Sequence, residues 1–362
     1  MKIKVIQLTA RADMGGGPKH VQHLLKAIHN QVECFAGCPE DKPFFDSYKG
    51  LLGDEKMTTI PHRKLTLKAL FSLLKYVKKN DIHLVHSHGK GASVYGKLLK
   101  ILKPSLKLIY TPNGIHVDEY SRLAMMLYQT YEYLTCGLFN HIIYVSESER
   151  EKAKQSKLFL RNKFSIIPNG VPTFYPPANE DLAALRNSLF KQPERKIILT
   201  FSRFDYQKNM QETFDIAASL PEYNFLWLGD GEDYLPLKEK AAQQGIDNIN
   251  MLGVQHNIDA YLSISDMYLT TSRWEGLPLA LLEAMAAGMP ILATNVTGNK
   301  DLINRDTGDL YELGDISSAV EKIKQMLENP SFNETVIKDY FEKNYSVNNM
   351  ASGVVKIYKE LV

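Results

Sequence analysis

The stretch R-W-E-G-L-P-L-A-L-L-E-A-M-A-A-G, residues 273–288, decides the fold. Before it, residues 265–271 (S-D-M-Y-L-T-T) read as a short buried strand, and after it 289–294 read as another. Residues 279–287 hold Ala, Leu, Met and Glu with no β-branched residue, which predicts a helix. Pro278 suits the first turn of that helix, and Gly288 its C-terminal stop. Strand, loop, helix, Gly-Pro turn and strand make one βαβ unit, with the helix N-terminus aimed at the carboxyl end of the sheet. Backbone N–H groups of Gly276, Leu277 and Leu279, with the positive end of the helix dipole, then offer an anion site.

Two carboxylates bracket that site. Glu275 lies in the loop, and Glu283 lies eight residues on, inside a helix that is otherwise nearly all apolar. A carboxylate buried there needs donors around it. Sugar hydroxyls are donors that bring no counter-charge. The plainer alternative makes Glu283 a solvated edge and Glu275 a helix-start charge.

The chain has 362 residues, 44% hydrophobic and 23% charged, which predicts a globular protein of two domains. The N-terminal run M-K-I-K-V-I-Q-L-T lacks the length and cleavage pattern of a signal peptide. No apolar run reaches the ~18 residues of a spanning helix. Cys34, Cys38 and Cys136 cannot all pair and fit no zinc spacing, which suggests a reducing, cytoplasmic setting. The net charge of +2 hides an asymmetry: residues 1–170 carry 26 Lys and Arg against 14 Asp and Glu. A basic first half suggests an anionic partner. Residues 65–79 and 97–110 interleave lysine with large apolar residues. They read as ordinary amphipathic helices with lysines in water, or as contacts to an anionic membrane surface; the excess charge favours the membrane. No nucleic-acid-binding motif is present, so nucleic acid is not an expected partner.

Residues 4–9, 32–36, 82–86, 106–111, 141–145 and 164–168 read as strands of a first domain, with helices at 18–29, 91–102 and 120–139. The loop R-A-D-M-G-G-G places Gly15, Gly16 and Gly17 before the first helix, as a phosphate-binding turn or a plain tight turn. His83, His86 and His88 fall at a strand end, where hydrogen bonding is favoured over metal binding. T-P-N-G-I-H follows a strand and carries Asn113 and His116. P-N-G-V at 168–171, followed by Y-P-P at 175–177, reads as a linker. The expected domains are therefore 1–171 and 172–345, with a terminal helix in 346–362. Strands are expected in the second domain at 196–202, 223–228 and 249–252, and helices at 316–327 and 350–361. R-F-D-Y-Q-K-N after its first strand flanks a helix start with Arg203 and Lys208, two cations suited to a diphosphate.

E-G-L-P-L-A-L-L-E-A-M-A-A-G-M-P-I-L-A-T resembles the E-x7-E signature of retaining glycosyltransferases of family 4 (group 1), and weaker likeness extends over nearly the whole chain. The resemblance implies the GT-B fold: α/β, with two Rossmann-like doubly wound parallel-sheet domains facing across a cleft, and a last helix crossing back onto the first. It implies transfer of a sugar, with retention, from a nucleotide diphosphate sugar, expected to be UDP-linked. The basic first half with its Lys/Leu stretches suggests the acceptor: a saccharide or a lipid-diphosphate-linked saccharide at the inner face of the cytoplasmic membrane, as in bacterial surface polysaccharide synthesis.

The site roles carry over by position. Gly15, Gly16 and Gly17 would face the donor diphosphate, Arg203 and Lys208 would clamp it, and Val254 would mark where backbone meets the base. Glu283 would grip the ribose, and Glu275 the donor sugar. Asn113 stands where the family has a histidine that touches the sugar, and it cannot carry a proton; His116 is the alternative for that contact. Asp301 stands where relatives often have Glu, and capping suffices for it. No metal and no cofactor are expected, in keeping with the absence of an Asp-x-Asp motif at a strand end. Competing readings are another GT-B enzyme, such as a nucleotide-sugar epimerase or a phosphorylase, and a non-catalytic nucleotide-sugar-binding module.

Overall fold

Seven parallel strands build the first sheet: β1 (Lys4–Thr9), β2 (Glu33–Cys38), β3 (Met57–Thr59), β4 (Leu84–His88), β5 (Lys107–Thr111), β6 (His141–Tyr144) and β7 (Phe164–Ile166), in the order β3-β2-β1-β4-β5-β6-β7. Parallel pairing requires a crossover between strands. Helices α1 (Gly16–Ile28), α2 (Phe44–Leu52), α3 (Leu67–Lys79), α4 (Gly89–Leu102), α5 (Arg122–Thr135) and α6 (Glu147–Gln155) supply it. The next stretch holds α7 (Leu182–Leu189), β8 (Ile197–Phe201), α8 (Met210–Ala218), β9 (Asn224–Leu228), α9 (Tyr234–Gln243), β10 (Ile249–Met251), α10 (Asp259–Ile264), β11 (Met267–Thr270), α11 (Leu279–Ala286), β12 (Ile291–Thr294), β13 (Gly308–Tyr311), α12 (Ile316–Glu328) and α13 (Glu334–Tyr345). Its sheet runs β10-β9-β8-β11-β12-β13. The chain ends in α14 (Val347–Leu361).

The computed structural model describes residues 2–115, 117, 120–178, 181–328 and 331–362. It divides into two compact units, Met1–Val171 with Tyr345–Val362, and Pro172–Asn344. In each sheet the strand order reverses once, at β1/β4 and at β8/β11. Loops leaving the carboxyl ends of strands diverge there, and that is where doubly wound sheets place ligands.

Central strands covered on both faces must be apolar on both. Val5 packs into a core with Val21, Leu24 and Leu25 of α1 and Val354 and Tyr358 of α14. Its neighbour Ile6 packs into the opposite core, with Leu70 and Leu73 of α3 and Tyr95 and Leu99 of α4. α14 reaches the first unit through a close backbone approach: a Cβ on Gly170 would lie 2.7 Å from the Ser346 carbonyl oxygen. Val347 N–H donates to Val171 O at 2.9 Å.

The structure changes several local expectations. Pro278 is the N-cap of α11, in extended backbone, and not a first-turn residue. Gly16 and Gly17 are the first turn of α1, and not loop. β13 and α13 were not expected; G-D-L-Y is short, with two half-buried residues, and lacks the apolar run that marks the inner strands. Lys97 is buried, not solvated, because α5 brings Glu132 to it at 2.6 Å.

His86 and His88 are buried hydrogen-bonding residues. His86 Nδ1 lies 2.6 Å from Tyr358 Oη and its Nε2 2.8 Å from Thr111 Oγ1. His88 Nε2 lies 2.8 Å from Gln7 Oε1, and Gln7 Nε2 donates to Tyr358 Oη at 2.9 Å. His83 sits apart from them, half-buried, with Nε2 3.6 Å from Asp81 Oδ2. Both nitrogens of His86 are engaged with protein groups, which leaves none for a metal. The described residues that bring three metal-type ligand atoms within 4.8 Å are elsewhere, at Asp13, Asp41 and His62. Arg11 grips both oxygens of Asp13 at 2.7 Å there.

Burial pushes His20, beside His88, down to about 4 and His23 down to about 3. It holds His86 and His88 well below the usual histidine range. These folded-state values lie below the unfolded value of ~6.5. The stability they confer is full above that pH and drains as pH falls toward the folded values. His20 alone should cost about 3 kcal/mol between pH 6.5 and 4. Urea unfolding followed by hydrogen exchange at β1 and β4 should show that loss in the first unit; a flat profile across this range would contradict it.

Candidate active site

The second unit's switch point is built by two loops, one leaving β8 and one leaving β11. Phe204 anchors the first. It is fully buried, and its ring centroid lies 6.2 Å from that of Trp227 and 5.3 Å from that of Tyr234. Its N–H donates to Asp230 O at 2.9 Å. Gly229 makes room for this loop: its φ is +133°, and a Cβ there would sit 1.8 Å from Ser202 O. Asp205 Oδ1 accepts Lys208 N–H at 3.1 Å, a local turn that aims the Lys208 side chain. Asn209, at φ +54°, ends the loop and starts α8.

The second loop is stitched to the first. Thr271 Oγ1 donates to Lys208 O at 2.9 Å, and Arg273 N–H donates to Gln207 O at 2.8 Å. Arg273 Nη2 donates to Asn209 Oδ1 at 2.7 Å, and its guanidinium lies 4.5 Å from the Tyr206 ring centroid. This stitching carries Glu275 to the cations. Lys208 Nζ donates to Glu275 Oε1 at 2.6 Å, with the carboxylate side chain only 8% exposed. Gln207 Nε2 donates to Glu275 Oε2 at 3.3 Å, and Arg203 Nη2 donates to Gln207 Oε1 at 3.1 Å. Asp205 holds Arg203 from the other side, 2.9 Å from Nη1.

Arg203, Gln207, Lys208 and Glu275 are thus one connected network. Glu283 stands half-buried on α11. The fully buried Tyr268 phenol donates to Phe201 O at 3.0 Å. Burial chiefly raises that phenol's pKa, and the charges of Glu275 and Glu283 both add to the effect. The loop between Glu275 and α11 is buried at Gly276 and Leu277. Leu279 opens the helix, whose first turn leaves N–H groups without an acceptor inside it.

Gly298 sets the position of Glu275 from behind. Its φ is +86°, and a Cβ there would lie 2.8 Å from Glu275 Cβ and 2.8 Å from Gly276 O. Gly298→Ala should displace the carboxylate, lowering activity at least about tenfold and stability by about 1–3 kcal/mol. Steady-state rates beside thermal unfolding test this, and an unchanged rate would remove Gly298 from the site. Asp301, three residues on, accepts Gly298 N–H at 3.3 Å.

In the first unit, Gly15 caps α1 in extended backbone, and a Cβ on Gly16 or Gly17 would meet nothing within 4 Å. Asn113 sits at φ +56° in the loop after β5. Its amide nitrogen and oxygen are shielded from solvent and have no hydrogen-bond partner among the described residues. The fully buried Glu149 holds that loop: its carboxylate accepts Gly114 N–H and, at 2.8 Å, Val145 N–H. His116 lies outside the described residues. In the second unit, Val254 is 44% exposed beside Gly253, whose carbonyl accepts Gly229 N–H at 2.8 Å. Gln207, Asp205, Gly298 and Glu149 were not expected from sequence. An Asp three residues before Lys208 is the one local signal available, for Asp205.

Both halves of the chain match family profiles, residues 14–174 that of Glycosyltransferase Family 4 and residues 182–342 that of Glycosyl transferases group 1. A UDP-Gal:alpha-D-GlcNAc-diphosphoundecaprenol alpha-1,3-galactosyltransferase of Escherichia coli is 28% identical, over 74% of this chain and 72% of its own. The Escherichia coli O-antigen biosynthesis glycosyltransferase WbnH is 28% identical, over 89% of this chain and 90% of its own. Among solved structures, Anabaena Alr3699/HepE in complex with UDP and glucose superposes with a TM-score of 0.85, at 16% identity, over 99% of this chain and 100% of that one. With a profile matched on each half and the two parallel sheets in place, the chain belongs to the group 1 glycosyltransferases of family 4 and has the GT-B fold.

Proposed function

We propose that the chain moves a sugar from a UDP-sugar to a hydroxyl of a lipid-linked saccharide, with retention of anomeric configuration, at the inner face of the cytoplasmic membrane. The reading places it in surface polysaccharide synthesis. The observation that carries it is the Arg203–Gln207–Lys208–Glu275 network at the switch point, beside the N-terminus of α11. The UDP-Gal donor and diphosphoundecaprenol-linked acceptor in the name of the first Escherichia coli relative support the choice of donor and acceptor class, and the O-antigen role in the name of the second supports the polysaccharide setting.

The difficult step is departure of UDP while positive charge builds on the sugar ring. Lys208 has three N–H donors and spends one on Glu275, so two can meet diphosphate oxygens. Arg203 adds a planar fork, and the first turn of α11 adds backbone N–H groups. Together they hold the leaving charge, and the reading assigns no step to a metal ion. Glu275 holds donor hydroxyls and sets a negative charge near the developing positive one. Glu283 binds the ribose, and backbone near Val254 meets the base. Gly16 and Gly17, which their own unit's packing does not require to be glycine, admit a phosphate close to backbone. Asn113 brings to the donor sugar an amide with no partner among the described residues. A donor phosphate oxygen takes the acceptor proton.

Thermal stabilisation by a panel of nucleotide sugars identifies the donor. NMR of the product then reads the anomeric configuration; an inverted product overturns the proposed stereochemistry. Activity lost in EDTA overturns metal independence. Epimer formation without acceptor, or binding without turnover, replaces the reading altogether.

A further inference from the structure

α5 is built inside out. The one residue it buries is a carboxylate, Glu132. Leu123, Met126, Leu127 and Leu134 recur at the three- and four-residue steps of a single helical stripe, and they are 62%, 55%, 60% and 74% exposed. At 3.6 residues per turn Glu132 lies opposite that stripe. A helix evolved only to cover a sheet would be turned the other way, with leucine inside and glutamate in water.

Polar contacts fix this orientation. Lys97 of α4, itself buried, donates to Glu132 Oε2 at 2.6 Å and to Thr135 Oγ1 at 2.8 Å, and sits 4.3 Å from the Tyr131 ring centroid. Lys90 lies 3.7 Å from the Tyr128 ring centroid, and Arg161 Nη2 donates to Tyr133 Oη at 2.7 Å. Burying an ion pair costs desolvation that apolar packing would not. The fold bears that cost and leaves four large apolar side chains on the surface, an arrangement that marks an interaction face.

The surroundings select the occupant. α3 packs into the same core as α4 and exposes Leu67 and Phe71 among Lys68, Lys75, Lys78 and Lys79. Apolar residues ringed by lysine suit an anionic lipid surface, which takes the leucines below its headgroups and the ammonium groups among its phosphates. We propose that α5 is an interfacial helix whose Leu123–Leu134 stripe enters an anionic bilayer, with the lysines of α3 at the headgroup level. This deepens the lipid-linked acceptor reading and rests on it, since it places the first unit where such an acceptor resides. It also assigns the membrane contact to α5 and α3, and withdraws it from residues 97–110, where Lys97 is buried and Lys100 Nζ donates to the Pro104 carbonyl at 2.8 Å.

Flotation with vesicles of phosphatidylcholine containing about a third phosphatidylglycerol tests this. The full chain should float with them and not with phosphatidylcholine alone. L123S/M126S/L127S, all at exposed positions, should float at least about tenfold less, with unchanged circular dichroism and UDP binding. A bimane label on L127C should shift to the blue on adding the vesicles. Flotation by the triple variant equal to that of the parent overturns the proposal. So does loss in that variant of a parental dimer seen by sedimentation, which would make the stripe a contact between copies. UDP binding reads the function separately: vesicle binding without donor binding overturns the enzyme reading alone, and transfer to a soluble acceptor without vesicle binding overturns this one alone.

Discussion

Glu275→Gln should reduce sugar transfer by about three orders of magnitude while leaving the second unit folded. The amide keeps the shape of the carboxylate, and its one oxygen can still accept from Gln207 Nε2, so Gln207 retains its partner. It removes the negative charge, which counts most when the sugar becomes cationic. The same change releases Lys208 from its ion pair at 2.6 Å. The ammonium then turns wholly to the diphosphate, and UDP should bind no worse than before, or tighter. The signature is a collapse of kcat without a rise in the dissociation constant for UDP. Stopped assays beside calorimetric titration would show it. Transfer near the parental rate would remove Glu275 from the chemistry, and a parallel loss of UDP binding would make it a structural partner of Lys208.

The legible part of this site is the part carried by short spacings. The two strands, the intervening helix and the two glutamates fall within residues 265–294, so their order alone predicts the βαβ unit. Arg203 and Lys208 follow a strand within six residues and share a loop with Asp205 and Gln207. That these four reach Glu275 depends on β8 pairing with β11, a neighbour relation between segments some seventy residues apart. No local pattern encodes the side-chain bridge by Gln207. Gly298 escaped notice for the same reason: its constraint is the backbone of Glu275 and Gly276, which folding alone brings beside it. α5 was legible as a helix but not in its orientation. Residues 120–139 read as a helix, and α5 lies within them, but that reading does not say which way the helix turns. The decision rests with Lys97, which resembles any surface lysine until Glu132 is placed against it.

Lys208→Ala and Arg203→Ala should each weaken UDP binding by about 10- to 100-fold and change uridine binding less than about twofold. A charged donor that meets phosphate contributes nothing to a ligand without phosphate, so the ratio of the two affinities isolates the clamp from general damage to the pocket. The two variants should differ in stability. Arg203 is 40% exposed at its side chain, and its partner Asp205 can turn to water, so its loss should be nearly neutral. Lys208 is 17% exposed and faces a carboxylate that is 8% exposed, so its removal strands a buried charge. That should destabilise the second unit by up to about 3 kcal/mol. Adding Glu275→Gln to Lys208→Ala removes the stranded charge and should restore most of the stability while leaving UDP binding weak. Denaturant titration of the four members of this cycle, beside UDP and uridine titrations, separates the two roles of Lys208. If UDP affinity returns along with stability in the double variant, Lys208 acts on the diphosphate only by keeping the loop folded, and the clamp reduces to Arg203 and the backbone of α11.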